Sequence, residues 1–343
     1  MPSAEVYNKC LDAGYPVDKV SYDRYDSLLS QGDLELLFDL LTKYKDKNGN
    51  HPVITANCVV ANPDFERIRK DNFERYHYEL IPETFKRYPA HANNFALWKE
   101  GIQKKIFLPQ FHAREHLNVS LFMRYLQEGN REVHFGFENG MPGMILDGPR
   151  GTGNYFVEAS HYESESDKKD KLNIFLEGLD LFEGLFSYRS ESIIPPNYTW
   201  SHDFDAAVLN KGVRIFQGLR KMKEPVPGAG NIYHSSFVGK RNSLGQIYLV
   251  RNALFEPSMF NLGVRNHVDR CLKEMSIAFL FNKPAIITSH RINYSGFIDQ
   301  GNRDRNLKLL NELLSKSLKR WPGIEFMTSD QLGLLINNDK QYN

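Results

Sequence analysis

Short β-branched apolar runs and longer stripes of apolar residues at helical spacing follow one another along this chain. Residues 52–60 are β-branched and mostly apolar, which predicts a strand buried on both faces. Residues 33–45 carry leucines on one helical face and end at the polar turn 46–50. Residues 105–111 predict a second buried strand, and a helix over 115–126 follows it.

The alternation continues to the C-terminal part of the chain. We predict helices over residues 4–13, 171–185, 203–210, 267–281 and 304–320, and strands over 188–194, 212–216, 284–288 and 324–327. Strands that alternate with helices predict an α/β fold with a parallel sheet and, at this length, a (β/α) barrel. We expect one domain over residues 1–343, with a Gly-, Ser- and charge-rich surface excursion near 139–171.

Composition narrows the class of protein. The 343 residues are 41% hydrophobic and 25% charged, as in globular proteins with a sizeable core. Lys+Arg 43 against Asp+Glu 42 gives no basic field, which argues against a nucleic-acid partner. Cys10, Cys58 and Cys271 lack metal-type spacing and predict buried, reduced thiols. No apolar run reaches membrane-spanning length, so with Met1 as the true start we expect a cytoplasmic protein.

The strongest chemical signal is the pair His112 and His116, where a predicted strand runs into a predicted helix. In a helical turn, residues four apart have Cβ atoms about 5–6 Å apart, so one metal ion can bridge both rings. Catalytic zinc needs a third protein ligand and an open position for water. Surface or capping histidines are the alternative interpretation of this spacing.

Two further predicted strands end in polar residues. After residues 188–194, the rigid turn Pro195-Pro196 leads into Asn197, Tyr198 and Trp200. After residues 284–288 comes His290. In a barrel the C-terminal ends of the strands share one rim, so we expect these groups near the histidine pair.

This order of motifs resembles the polysaccharide deacetylases (the NodB homology domain). Residues 112–117 are similar to that family's H-S/T-x-x-H-P motif, residues 194–198 to its R-P-P-Y/F motif, and residues 287–290 to its apolar strand ending L-x-H. A looser resemblance to deacetylase-like proteins of gut-type bacteria covers nearly the whole chain. The resemblance implies a deacetylase-type (β/α) barrel, seven-stranded or distorted, and a metal-dependent hydrolase that removes acetyl groups from a sugar or polysaccharide.

The resemblance also implies roles for particular residues. His112 and His116 bind a divalent metal, zinc, together with a carboxylate, and His290 protonates the leaving amine as the catalytic acid. Asn197, Tyr198 and Trp200 contact the substrate, and the loop offers a backbone N–H to the oxyanion. Arg114 and Glu115 orient the imidazoles, with solvated charges at the helix start as the alternative.

One family motif is missing. The S/T-F-D-D segment, which supplies a metal-binding carboxylate and the general base, has no counterpart here, because no apolar strand precedes the acidic residues 22–26. Ala113, Leu117 and Ile194 also depart from the motifs. We therefore expect the barrel to lack its first strand and to stay open beside Val53, unless residues before Lys19 fill the gap. The alternatives are a hydrolase that is inactive as written because this motif is missing, a catalytically dead barrel that binds carbohydrate or a protein partner, and a different metal-assisted hydrolase.

Overall fold

A computed structural model describes residues 2–142, 155–259 and 266–338. The chain forms two compact units. Unit 1 comprises Met1–Thr55, Phe85–Leu108 and Arg251–Thr328, and unit 2 comprises Ala56–Thr84, Pro109–Val250 and Ser329–Asn343. The prediction of one domain stays a prediction. Of the predicted surface excursion, residues 143–154 lie outside the described residues, and the segment that follows them buries Phe156 and Glu158 completely.

The described residues contain helices and strands in alternation. The α-helices are α1 Ala4–Asp12, α2 Ser21–Tyr25, α3 Gln31–Thr42, α4 Phe65–Lys70, α5 Ile81–Lys86, α6 Asn94–Gln103, α7 Val119–Gln127, α8 Arg131–Glu138, α9 Glu165–Phe186, α10 Asp205–Asn210, α11 His267–Leu280, α12 Gln300–Arg320 and α13 Ser329–Asn338. The strands are β1 Ile54–Val59, β2 Ala61–Pro63, β3 Tyr78–Leu80, β4 Phe107–Ala113, β5 Ser192–Ile193, β6 Ile215–Gly218, β7 Lys221–Val226, β8 Gly230–Ser235, β9 Ile247–Val250, β10 Ala253–Leu254 and β11 Ile287–Thr288. The fold is mixed α/β with a parallel central sheet.

Five strands form that central sheet in the order β1-β4-β5-β6-β9. The pairs β4–β5, β5–β6 and β6–β9 are parallel, with Phe111 opposite Ile193 and Ile215 opposite Ile247. All four residues of β6 and of β9 are buried, as expected for parallel strands covered on both faces. Each next strand of the chain is added on the same side of the sheet, as in a singly wound (β/α) fold.

The core of unit 2 lies where α9 meets β4. The Phe111 ring is fully buried against the rings of Phe175 and Phe182, with centroids 4.9 Å and 6.2 Å away. Gly178, on the same helix, allows this close approach, because a Cβ there would lie 2.6 Å from Cζ of Phe111. β4, which carries His112, is thus held by aromatic packing from one side.

Unit 1 is mainly helical and contains the small parallel pair β10–β11. Leu34 and Leu37 of α3 are buried, and Ser30 and Asp33 form a capping box at the start of that helix. Asp33 also accepts a 3.0 Å hydrogen bond from the Gly296 N–H and a 2.9 Å bond from Arg303. A buried carboxylate with these partners ties the N-terminus of α3 to the loop before α12.

The predicted helices over residues 4–13, 33–45, 267–281 and 304–320 are confirmed as α1, α3, α11 and α12. The strand predicted over 324–327 is wrong. In place of a ladder, the Phe326 N–H donates to the Asp46 side chain and the Ile324 carbonyl accepts from the Lys47 N–H. The antiparallel hairpin β7–β8 was not expected from the sequence, because β7 carries three charged residues and β8 is mostly exposed.

Two predictions made from composition can be compared with the structure. Cys10, Cys58 and Cys271 are buried free thiols, as predicted. None of the described helices combines the length and the apolar character that crossing a membrane requires.

Candidate functional site

His112 lies at the C-terminal end of β4, directly after the residue that pairs with β5. Its Nδ1 is 2.5 Å from the carbonyl oxygen of Ile194, at the end of the neighbouring strand. The carbonyl can only accept, so Nδ1 carries the proton in a neutral ring and Nε2 carries the lone pair. This contact sets the tautomer in the way that second partners of metal-binding histidines do. The parallel sheet therefore brings the histidine pair and the proline turn to one edge.

His116 lies beside His112, with ring centroids 4.8 Å apart and planes at 61°. The expectation that a helical turn joins them is wrong. The helix α7 begins only at Val119, because the Asn118 side chain caps it by accepting from the Leu121 N–H. A loop over residues 114–118 brings the rings together instead.

The pair does not by itself form a three-ligand metal site. Across residues 2–142, 155–259 and 266–338, the set of His, Cys, Asp and Glu that converges with three ligand atoms is His202, Glu224 and His234. His112 and His116 thus fit a metal as two imidazole ligands, and among the described residues they belong to no group of three converging His, Cys, Asp or Glu ligands. No catalytic step through a metal follows from this pair alone.

Arg114 and Glu115 are buried, with 6% and 2% of their surface exposed, and so are not solvated helix-start charges. The Arg114 Nε donates to Glu115 over 2.7 Å, and its guanidinium also pairs with Glu177 and lies 4.5 Å from the ring centroid of Tyr78. Burial raises the pKa of Glu115, and the Arg114 charge opposes that shift. These contacts fix the loop that carries His116. Direct orientation of the imidazoles stays a prediction.

The turn after β5 has strained backbone. Asn197 and Tyr198 have φ of 50° and 56°, a left-handed conformation that side chains other than glycine rarely adopt. The Tyr198 N–H donates to the Pro195 carbonyl over 2.9 Å. The turn itself therefore uses the Tyr198 N–H, and the expectation that the loop offers a backbone N–H to an oxyanion stays a prediction. Trp200 is 2% exposed and donates from Nε1 to Asp205 over 2.8 Å.

Glu158 lies next to this turn and has no exposed surface. It accepts a 3.0 Å hydrogen bond from the Thr199 hydroxyl and pairs with Lys223, and its Oε2 is 3.7 Å from Nδ1 of His161. Burial raises the pKa of the Glu158 carboxyl, although Lys223 acts in the opposite direction. Sequence reasoning missed Glu158 because it falls in a polar stretch without strand or helix periodicity.

In unit 1, the parallel pair β10–β11 brings His290 to a carboxylate. Leu254 pairs with Thr288, so the residues two positions further on, Glu256 and His290, also come side by side. The His290 Nδ1 is 2.5 Å from Oε1 of Glu256, and the Asn293 amide donates to the other oxygen over 2.7 Å. Glu256 is fully buried. Its signal in the sequence is weak: three apolar residues at 253–255 precede the acid.

Comparisons with known proteins add little to this geometry. No family model matches the sequence, and no curated protein matches it. Among solved structures, a 4-α-glucanotransferase from Thermococcus litoralis is similar, with a TM-score of 0.41 and 10% sequence identity. The similar region covers 92% of this chain and 36% of that chain, so this chain spans little more than a third of the glucanotransferase.

Proposed function

We propose that this protein is a deacetylase-type hydrolase that removes acetyl groups from an acetylated sugar or polysaccharide. The observation that carries the proposal is the edge of the central sheet where His112, His116 and the Pro195-Pro196 turn meet. The Nδ1 of His112 reaches the carbonyl of Ile194 over 2.5 Å, so two of the motifs behind the family resemblance share one place. Parallel strands place chemistry at this end of a sheet.

The curvature of the sheet supports a barrel-like architecture for this proposal. Strands β1 and β6 are separated by β4 and β5 in the sheet order. In a flat sheet their spacing is about 14 Å, three times the distance between neighbouring strands. Yet the Gln217 amide on β6 donates to Asn57 on β1 over 2.9 Å, and it also donates to Ser192 on β5 over 2.9 Å. The sheet must curl for these side chains to meet, as strands of a distorted or incomplete (β/α) barrel do.

The proposed reaction assigns metal binding to His112 and His116 and proton transfer to His290. His112 and His116 offer imidazole nitrogens at the strand ends, and a divalent metal, when bound there with a carboxylate, supplies Lewis-acid polarisation of the acetyl carbonyl. His290, held by Glu256, can transfer a proton to a leaving group. A fixed Nδ1 contact to a carboxylate orients an imidazole for this role.

A second candidate function is carbohydrate binding without catalysis. The observation that favours it is that, among the described residues, no third His, Cys, Asp or Glu forms a three-ligand group with His112 and His116. A two-histidine site binds a metal less tightly than a three-ligand site. On this alternative, the same strand ends bind an acetylated sugar and release it unchanged.

The test is acetate release from N-acetylated and O-acetylated oligosaccharides, measured with the full chain in the presence of zinc. We expect release by the wild type and loss of about 10²-fold or more of the rate in His112→Ala. His134→Ala is the matched control, because His134 lies on α8 and contacts the Leu126 carbonyl and the Phe73 ring.

Three outcomes separate the candidates. Acetate release that depends on His112 supports the hydrolase. Binding of the acetylated sugar without acetate release, and weaker binding in His112→Ala, supports the binding protein. Acetate release that is equal in the wild type and His112→Ala contradicts the assignment of the site.

A further inference from the structure

The hairpin β7–β8 places an acid and a histidine on one face. Its register pairs Met222 with His234 and Glu224 with Ile232. Met222 and Glu224 are two residues apart and point to the same side of β7, so Glu224 and His234 are diagonal neighbours on that side. The contact follows from this register, with Nε2 of His234 2.8 Å from Oε2 of Glu224.

A second histidine reaches the same place from the segment after the proline turn. Thr199 forms a parallel bridge with Lys223, and the Trp200 N–H donates to the Lys223 carbonyl over 2.9 Å, so residues 199–202 run beside β7. His202 follows three residues after Thr199. Its backbone N–H donates to Oε1 of Glu224 over 3.1 Å, and its ring centroid is 4.5 Å from that of His234.

Three potential ligand atoms converge here. One ring nitrogen of each histidine and one carboxylate oxygen of Glu224 all lie within 4.8 Å of one another. In tetrahedral zinc sites, with bonds of about 2.0–2.1 Å, pairs of ligand atoms lie about 3.3 Å apart. Pairs of these atoms must therefore approach by at most about 1.5 Å to reach that geometry. Two histidines and a glutamate form a donor set that catalytic zinc sites use with a water molecule as the fourth ligand.

The surrounding residues orient this set. Asp205 accepts from Nδ1 of His202 over 3.0 Å, which leaves Nε2 as the nitrogen for a metal. Asp205 is itself fixed by the Trp200 indole and by the Asn242 amide, over 2.8 Å and 2.9 Å. The second oxygen of Glu224 accepts from the Ser201 hydroxyl over 2.8 Å. Metal-binding histidines almost always donate their other ring N–H to a carboxylate, a backbone carbonyl or a water, and the His202–Asp205 contact has this form.

The cluster also borders a cavity of about 480 Å³. The walls include His202, His234 and Asp205, together with Lys240 and Tyr248. Side-chain exposure of 40% for His202 and 35% for His234 leaves room for an ion to enter from this side. The cavity has space beside the three ligands for a water or an anionic group, and Lys240 lines its wall.

We propose that His202, Glu224 and His234 form a zinc site with an open coordination position, and that Asp205 is its positioning residue. The site is separate from the His112–His116 pair and does not rest on the deacetylase proposal. Its three converging ligands, one of them a carboxylate, bind zinc more tightly than two imidazoles do. Its open position makes it a binding site for a small anionic ligand of the zinc ion.

The test is zinc titration of the chelator-treated full chain, followed by competition with a chromophoric chelator. We expect one tight zinc ion per chain in the wild type and in His112→Ala. His202→Ala and His234→Ala lose that ion, and Asp205→Asn weakens zinc binding by about 10–100-fold. Glu224→Gln removes the negative charge and keeps the size of the side chain, so it tests the carboxylate ligand without leaving an empty space in the packing. His134→Ala is the control for removal of a histidine elsewhere in unit 2.

Cobalt substitution gives an independent reading, because visible absorption bands report the coordination geometry. Intense bands of tetrahedral Co²⁺ in the wild type and in His112→Ala, absent from His234→Ala, support the site. Circular dichroism of each variant shows whether it is folded. If an alanine variant does not fold, Glu224→Gln is the variant that tests the site. Full zinc binding by folded Glu224→Gln and His234→Ala, or no tight zinc in the wild type, overturns the proposal.

Discussion

The Nδ1 atom of His290 lies 2.5 Å from Oε1 of Glu256, although 33 residues separate them in the chain. The contact follows from the register of the short parallel pair β10–β11, which places the two residues at matching positions beyond the strand ends. The carboxylate is fully buried and also holds the Asn293 amide. Because Glu256 is fully buried, water cannot replace His290 or Asn293 as a hydrogen-bond partner of its carboxylate, and losing either contact is costly.

Replacing Glu256 by Gln removes the negative charge and keeps the shape. We expect the free energy of unfolding to fall by about 1–3 kcal/mol, because a hydrogen bond to a charged group is lost and a buried polar group is left poorly matched. If His290 is the catalytic acid, acetate release falls by about 10²-fold as well. Urea denaturation and the acetate assay measure the two effects.

The matched control is Glu312→Gln on α12. Glu312 forms an exposed ion pair with Lys316, and such pairs contribute about 0–1 kcal/mol. If Glu256→Gln, Glu312→Gln and the wild type have the same free energy of unfolding, the contact between Glu256 and His290 does not stabilise the fold and the prediction is contradicted.

Gly178 is predicted to tolerate no larger side chain. A Cβ at this position would lie 2.6 Å from Cζ of Phe111 and 3.0 Å from Cβ of Arg114. We expect Gly178→Ala to lower the free energy of unfolding by about 1–3 kcal/mol, because α9 must move away from the strand that carries His112. Gly184→Ala on the same helix meets nothing within 4 Å and should stabilise by up to about 1 kcal/mol. Urea denaturation of both variants measures the difference, and equal stability of the two contradicts the packing described for Phe111.

His161 predicts a pH dependence of stability. Burial lowers the pKa of His161 to about 4 in the folded protein, whereas an unfolded chain has a histidine pKa near 6.5. Between these values the unfolded state binds more protons than the folded state, so the free energy of unfolding falls as the pH drops from about 6.5 to about 4. The loss has an upper bound of about 3 kcal/mol.

The measurement is the difference between the unfolding free energies of the wild type and His161→Gln across this pH range. Glu158, Glu163, Asp167, Lys171 and Lys223 lie around the ring, and their own titration is largely shared by both proteins. We expect the wild type to lose more stability than His161→Gln as the pH falls. His134→Gln, the control, should lose as much stability as the wild type. Parallel curves for His161→Gln and the wild type contradict the prediction.

The sequence predicted the elements whose periodicity is strong. Strand β1, helix α3 and helix α12 follow from local apolar patterns that burial then reinforces. The sequence also predicted that His112 and His116 lie close together, but it predicted a helical turn between them that the structure does not have. Asn118 decides this point, because its side chain caps α7 and delays the start of the helix to Val119.

The other contacts depend on register between distant segments, which no local pattern encodes. Glu256 meets His290 only because Leu254 pairs with Thr288. His202 meets Glu224 only because residue 199 bridges β7, a strand too polar to be recognised. Residues 324–327 have the β-branched and aromatic character of a strand, yet their backbone bonds go to Asp46 and Lys47.

We propose that the strand ends around His112 remove acetyl groups from a sugar. Mass spectrometry of an acetylated oligosaccharide after incubation with the wild type, and with the double variant His112→Ala and His116→Ala, tests it most directly. We expect the wild type to form products that have lost acetyl groups and keep every glycosidic bond, and the double variant to form none. Shortened sugars, unchanged sugars with both proteins, or the same products with both would contradict it.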